Sequence, residues 1–172
     1  MTQPRRPALD VISHSPEQTR KIGALLGRAL ERGSVILLGG MIGSGKTTFA
    51  QGIANGLRVT SPVTSPTFTI VCEHTGRDAG DHPVRIYHID LYRLEDDESV
   101  LSFGFDEYLD DPDAITIIEW PERARMYLPE DHLFVELTDV ADTKRSIAFV
   151  PRDQRYMPVM ESLKREMAGA RG

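Results

Sequence analysis

Gly40-Met41-Ile42-Gly43-Ser44-Gly45-Lys46-Thr47 is the stretch on which the reading of this chain turns. It fits G-x-x-x-x-G-K-[ST], the pattern of a loop that cradles phosphates in nucleoside triphosphatases. The chemistry sets the residue types. Glycines let backbone N–H groups close around an anion where a Cβ would collide or forbid the dihedrals. Lys46 brings a point charge to the outer phosphates, and Thr47 offers a hydroxyl to magnesium. The flanks agree with the motif. Ser34 to Leu38 is a run fit for a buried strand, and Thr47 to Leu57 predicts a helix with Phe49, Ile53 and Leu57 on one face. Gly40, Ile42, Gly43, Ser44, Gly45, Lys46, Thr47 and Thr48 are therefore the candidate nucleotide-binding residues. The plain alternative is a glycine turn between strand and helix that binds nothing.

Working outward, residues 1–8 read as a disordered tail. Ser15-Pro16-Glu17-Gln18 predicts a helix start, with Ser15 as N-cap, Pro16 at the first helical position and Gln18 closing a capping box. Ile22, Leu25, Leu26, Ala29 and Leu30 continue it at helical spacing, and Gly33 is a natural stop. Beyond the loop helix, Pro62 and Pro66 break regular structure. Strands are expected over Phe68–His74 and Val84–Ile89, able to pair as a hairpin across the polar loop Gly76–Pro83. Asp96–Leu109 predicts a helix interrupted at Gly104. Ala114–Ile118 reads as a buried strand ending in Glu119-Trp120-Pro121. Two late strands, Leu133–Thr138 and Arg145–Val150, flank a turn, and Met157–Met167 closes the chain as an amphipathic helix. Strands and helices mixed around a phosphate loop predict an α/β fold. The expected architecture is a single-domain P-loop NTPase with a central, mostly parallel sheet, some antiparallel strands and flanking helices. The tail is residues 1–8, the ATPase domain 9–155, and the C-terminal helix and tail 156–172.

In open α/β sheets ligands sit outside the carboxyl ends of the strands. That rule selects Asp90 after Ile89 and Glu119 after Ile118. Magnesium takes oxygen ligands, so Thr47 with either acid can hold it while the other acid orients water. Each acid also has a bland reading, as a strand-end cap or a salt bridge to Arg93 or Arg123. Ser61 to Thr69 alternates hydroxyls and prolines. It is either a stiffened surface loop or a switch whose threonines, Thr67 among them, sense the outer phosphate and its magnesium. Trp120, the only tryptophan, follows Glu119 and is placed near the same site. Cys72, the only cysteine, is expected as a buried thiol in a strand. The histidines show no zinc-ligand spacing. No Asn-Lys-x-Asp guanine-reading motif occurs, which favours ATP over GTP.

The chain has 172 residues and a net charge of −6. That balance gives little drive for gripping RNA or DNA alone, because such binding rests on Lys and Arg neutralising phosphates. The acid clusters Glu95–Glu98 and Asp110-Asp111 are solvated charges or a docking surface for a basic partner. No apolar run is long enough for a bilayer, and the first residues lack a secretory pattern. A cytoplasmic location is expected.

Four motifs in order resemble the TsaE family, the bacterial ATPases of tRNA threonylcarbamoyladenosine biosynthesis. They are the phosphate loop Gly40–Thr48, Ser65–Thr69 as S-P-T-F-T, His88–Leu94 as H-x-D-L-Y-R-L, and Glu119-Trp120. The resemblance spans roughly residues 15 to 150. It implies ATP and Mg2+ as cofactors, hydrolysis coupled to a TsaB–TsaD-like complex, and contact with tRNA mainly through that complex. It implies phosphate and magnesium roles for Lys46, Thr47 and Thr48, and functional roles for Asp90, Glu119 and Trp120. It also places Ser15–Thr19 and Thr143-Lys144 beside the base. Met41 departs from the family pattern, which has Asp there. Two other classes compete: a small-molecule kinase, for which Arg123 and Arg125 are too few to form an Arg-rich lid, and a nucleotide-gated binding module without catalysis.

Overall fold

The computed structural model describes residues 6–63 and 70–170. Thr67, most of the Ser61–Thr69 stretch and the start of the strand expected at Phe68 lie outside the described residues. The elements run β1 (Leu9–Ser13), α1 (Pro16–Ala29), β2 (Val35–Gly39), α2 (Lys46–Gly56), β3 (Val71–Arg77) and β4 (Pro83–Asp90). Then come α3 (Phe105–Leu109), β5 (Ala114–Glu119), β6 (Leu133–Asp139), β7 (Arg145–Pro151) and α4 (Met157–Gly169). Short 3-10 helices span Asp97–Phe103 and Pro121–Tyr127.

The strands form one seven-stranded sheet in the order β1-β7-β6-β2-β5-β4-β3. The central strands β6, β2, β5 and β4 are mutually parallel, while β3, β7 and β1 are antiparallel additions at the two sides. This is the expected α/β class. β2 and β5 are buried at every position, as parallel strands covered on both faces must be. Alternate residues of β2 serve different layers. Ile36 and Leu38 join the core under α1, α2 and α4, with Leu26, Phe49, Ile53 and Met160. Val35 and Leu37 join the opposite core, with Ile89, Leu91, Val100 and Phe105.

α1 and α2 pack almost backbone to backbone. A Cβ on Gly27 would lie 2.2 Å from the Ile53 carbonyl oxygen, and one on Gly56 2.2 Å from that of Ala24. This seat fixes where α2 begins and so where the phosphate loop lies. Tyr156 anchors the other end of β2: its hydroxyl accepts from the Val35 N–H at 3.0 Å.

Several local expectations needed adjustment. Gln18 does not close a capping box on Ser15. Ser15 Oγ accepts from the Gln18 N–H, but the Gln18 side chain accepts from the His14 N–H at 2.7 Å, one residue before the cap. Asp96–Leu109 is interrupted at Gly104, φ 71°, as expected, but the part before it is a 3-10 helix and only Phe105–Leu109 is α-helical. Cys72 is half-buried rather than buried. β1 was not expected at all, and Ala8 before it donates its N–H to Phe149 at 2.8 Å. α4 packs Val159, Met160 and Leu163 into the same core as β2 and α2. Among the described residues no helix is long and apolar enough to cross a membrane.

Candidate functional site

The parallel register brings three strand ends level. Leu38 of β2 pairs with Glu119 of β5, and Glu119 pairs with Asp90 of β4. The loop leaving β2 therefore rises directly beside two carboxylates. Its glycines are required. Gly40 has φ 140° and Gly45 has φ 101°, and a Cβ on Gly40 would meet the Leu137 carbonyl oxygen at 2.4 Å. Gly45 caps α2 without any side-chain hydrogen bond. The first helical bond runs from Phe49 N–H to Gly45 O, so the N–H groups of Lys46, Thr47 and Thr48 have no partner inside the helix. Unpaired N–H groups at the positive end of a helix dipole suit an anion.

Met41 and Ile42 point outward, 77% and 69% exposed. Met41 contributes backbone instead: its carbonyl accepts from the Ser44 N–H at 3.1 Å and from Lys46 Nζ at 3.0 Å. The departure at this position thus leaves the loop's backbone geometry closed. Lys46 also donates to the Gly40 carbonyl and lies 4.0 Å from the Trp120 ring centroid. Burial pushes the Lys46 ammonium below its ordinary pKa, against the opposing pull of Glu119, Glu122 and Asp90.

Glu119 is buried and held at both oxygens. Oε1 accepts from Thr47 Oγ1 at 3.0 Å, and Oε2 lies 2.6 Å from His88 Nε2. Neither oxygen is spent on the salt bridge to Arg123 that the bland reading allowed; Arg123 donates to the Leu94 carbonyl. Asp90 accepts from the Tyr92 N–H at 2.9 Å. Burial raises its pKa; the Tyr92 N–H pulls the other way, and the charge of Glu119 adds to the rise. Thr47, Glu119 and Asp90 are hard oxygen donors of the kind magnesium takes. Among the described residues no group of three or more His, Cys, Asp or Glu can cage a metal. A cation here would need phosphate and water oxygens to complete its shell, which is magnesium's habit and not zinc's.

A cavity of about 390 Å³ is lined by Lys46, Thr47, Thr48, Asp90, Glu119 and Trp120. A smaller one of about 170 Å³ lies between the start of α1 and the β6–β7 turn, lined by Ser15, Thr19, Thr143 and again Gly43, Gly45 and Thr48. The two share a wall in the phosphate loop. Ser15, Thr19 and Thr143 are thus brought to the loop from distant parts of the chain. Lys144 is not in that lining; its backbone closes the turn with Val140 and Ala141. Thr19 turns its hydroxyl to Ser13 Oγ at 2.7 Å.

Three residues were not singled out as site residues from the sequence. His88 holds Glu119. Tyr92 packs its ring 4.9 Å from that of Trp120. Arg145 donates to the Gly43 carbonyl at 3.2 Å and pairs with Asp139 at 3.0 Å, tying β7 to the loop. His88 and Tyr92 lie inside the H-x-D-L-Y stretch, where spacing from Asp90 was the available signal. Arg145 follows Thr143-Lys144 directly, but nothing in one sequence tells it from a surface arginine.

A mixed α/β sheet with a glycine loop, a buried ammonium and two level carboxylates at its carboxyl edge defines an α/β protein built around a phosphate-loop motif. The family model for threonylcarbamoyl adenosine biosynthesis protein TsaE matches residues 13–147, and the chain belongs to the TsaE family. Among its relatives is the tRNA threonylcarbamoyladenosine biosynthesis protein TsaE of Bacillus subtilis, 36% identical over 151 residues, covering 88% of this chain and 90% of the relative. The TsaE of a Nostoc species is 43% identical over 139 residues, covering 78% and 81%. The crystal structure of Bacillus subtilis YdiB superposes with a TM-score of 0.77 at 31% identity, covering 92% of this chain and 95% of that one. Family membership ties the chain to tRNA threonylcarbamoyladenosine biosynthesis.

Proposed function

We propose that this chain binds ATP with Mg2+ at the phosphate loop and hydrolyses it as the ATPase component of tRNA threonylcarbamoyladenosine modification, acting in the cytoplasm with a TsaB–TsaD-like complex. The observation that carries the reading is the Thr47–Glu119 hydrogen bond at the start of α2, which puts a hydroxyl and a carboxylate together beside N–H groups that have no partner inside the helix. Magnesium, when bound, neutralises phosphate charge. The chain's own residues divide the remaining work. The N–H groups of Lys46 to Thr48 and the Lys46 ammonium hold the phosphates. Thr47 and Glu119 would hold the metal. Asp90, at the neighbouring strand end with its pKa raised, orients the attacking water. Ser15, Thr19 and Thr143 border the base.

A net charge of −6 supports tRNA contact through the complex rather than by this chain alone. The test is ATP hydrolysis by the chain alone, with a TsaB–TsaD complex, and separately with tRNA. Slow turnover alone and a clear rise with the protein complex are expected. Full turnover without a partner, or tight tRNA binding at physiological salt, would overturn the partner-dependent reading.

A further inference from the structure

His88 lies on β4 two residues before Asp90, and its ring is buried. Its Nε2 is 2.6 Å from Glu119 Oε2, while Glu119 Oε1 takes the Thr47 hydroxyl. Toward a carboxylate, which only accepts, the imidazole Nε2 is the donor of this pair. The two bonds grip the carboxyl group from opposite sides and fix its plane. The other ring nitrogen, Nδ1, is buried with no partner among the described residues. An unpaired buried nitrogen costs stability. A side chain kept for packing alone would be apolar here, as Ile86 and Ile89 are on the same strand. What His88 offers in return is the single bond from Nε2.

We propose that His88 is a positioning residue of this site, holding the Glu119 carboxylate in the orientation that faces Thr47. The inference rests on the reading of Glu119 as a functional carboxylate, and it acts through Glu119 rather than on a substrate. Side chains that orient such carboxylates commonly change activity by about 10–100-fold when removed.

The experiment compares His88→Leu, which fills the volume without a donor, with His88→Gln, whose amide N–H reaches toward the place of Nε2. Crystal structures of both variants are read beside ATPase kinetics with the partner complex. In His88→Leu the Glu119 carboxylate turns away from Thr47, and kcat falls about 10–100-fold while KM for ATP stays within about threefold. In His88→Gln the Glu119–Thr47 contact persists and most of kcat returns. His88→Asn, too short to reach, replaces the Leu variant if that one does not fold. Glu119 still on Thr47 in the donor-less variants, unchanged kcat, or a loss that Gln does not restore would each overturn the proposal. A wild-type chain without ATP turnover would sink the ATPase reading instead, and the crystal structures would still decide whether His88 orients Glu119.

Discussion

Thr47 Oγ1 donates to Glu119 Oε1 across 3.0 Å, tying the first turn of α2 to the end of β5. The two residues are 72 positions apart. They meet because β2 and β5 are parallel neighbours, with Leu38 and Glu119 in register. The start of the phosphate-loop helix is thereby tied to a buried carboxylate whose other oxygen is taken by His88.

Glu119→Gln tests that carboxylate. The amide keeps the shape, but its single oxygen cannot serve both Thr47 and His88, and the negative charge is gone. Nucleotide affinity is expected to survive while hydrolysis falls by at least about 100-fold, the scale of a lost acid–base or metal-holding group. Fluorescent-nucleotide titration and phosphate release report the two separately. Wild-type turnover would remove Glu119 from the mechanism. Asp90→Asn is the companion: a loss of turnover with unchanged magnesium dependence assigns the water role to Asp90.

Lys46→Ala removes an ammonium whose protein partners are the Gly40 and Met41 carbonyls and the Trp120 ring. These carbonyls belong to the loop itself, so the fold should stand. A lost charge-assisted contact to phosphate should weaken nucleotide binding by about 1.5–3 kcal/mol. A titration in parallel with a thermal melt checks both halves. Unchanged affinity in a folded variant would refute the phosphate-loop assignment.

The parts of this fold legible in the sequence are the strands with two-sided burial and the elements with one regular apolar face, α1, α2, α4, β6 and β7. β2 and β5 read as continuous apolar runs because helices or turns cover both faces. β1 escaped because its pattern inverts at the end: Ile12 is 43% exposed while Ser13 is fully buried. The site was legible as a set of strand ends, since Asp90 and Glu119 follow apolar runs directly. Their adjacency was not, because strand order depends on tertiary pairing that spacing does not encode. The same limit hid His88 and Arg145, whose partners Glu119 and Gly43 lie far along the chain.

Asp78 offers a stability test away from the site. Its buried carboxylate accepts from the Gly80 N–H at 3.0 Å and the His82 N–H at 2.9 Å, and Arg32 lies 3.6 Å away. Burial alone would raise its pKa, but the N–H groups of His82 and Gly80 and the His82 ring outweigh that and hold it below the ordinary value. A depressed folded pKa adds stability that is complete above the unfolded value, about 3.9, and is lost as pH falls through the folded one. Asp78→Asn should cost about 1–3 kcal/mol at neutral pH, and the gap between variant and wild type should close below about pH 4. Chemical denaturation at several pH values measures it. A gap that does not depend on pH would mean that Asp78 contributes shape and not charge.

Trp120 gives the last prediction, and the one readable without mutation. It is the chain's only tryptophan, so its emission is unambiguous. Its backbone sits in the left-handed region at φ 59°, which turns the chain sharply after Glu119. Its ring faces Lys46 Nζ at 4.0 Å and Tyr92 at 4.9 Å between ring centroids, and it borders both the cavity over Thr47 and a second one of about 560 Å³ beside Met41 and Phe134. A cation over an indole face is worth about 0.5–2 kcal/mol and perturbs the ring electronically. Phosphate drawing the Lys46 ammonium away from that face should change both intensity and emission maximum. The change should saturate with Mg-ATP, and Lys46→Ala should abolish its ammonium-dependent part. Emission identical with and without ADP or a non-hydrolysable ATP analogue would reduce Trp120 to a packing residue and place the nucleotide elsewhere.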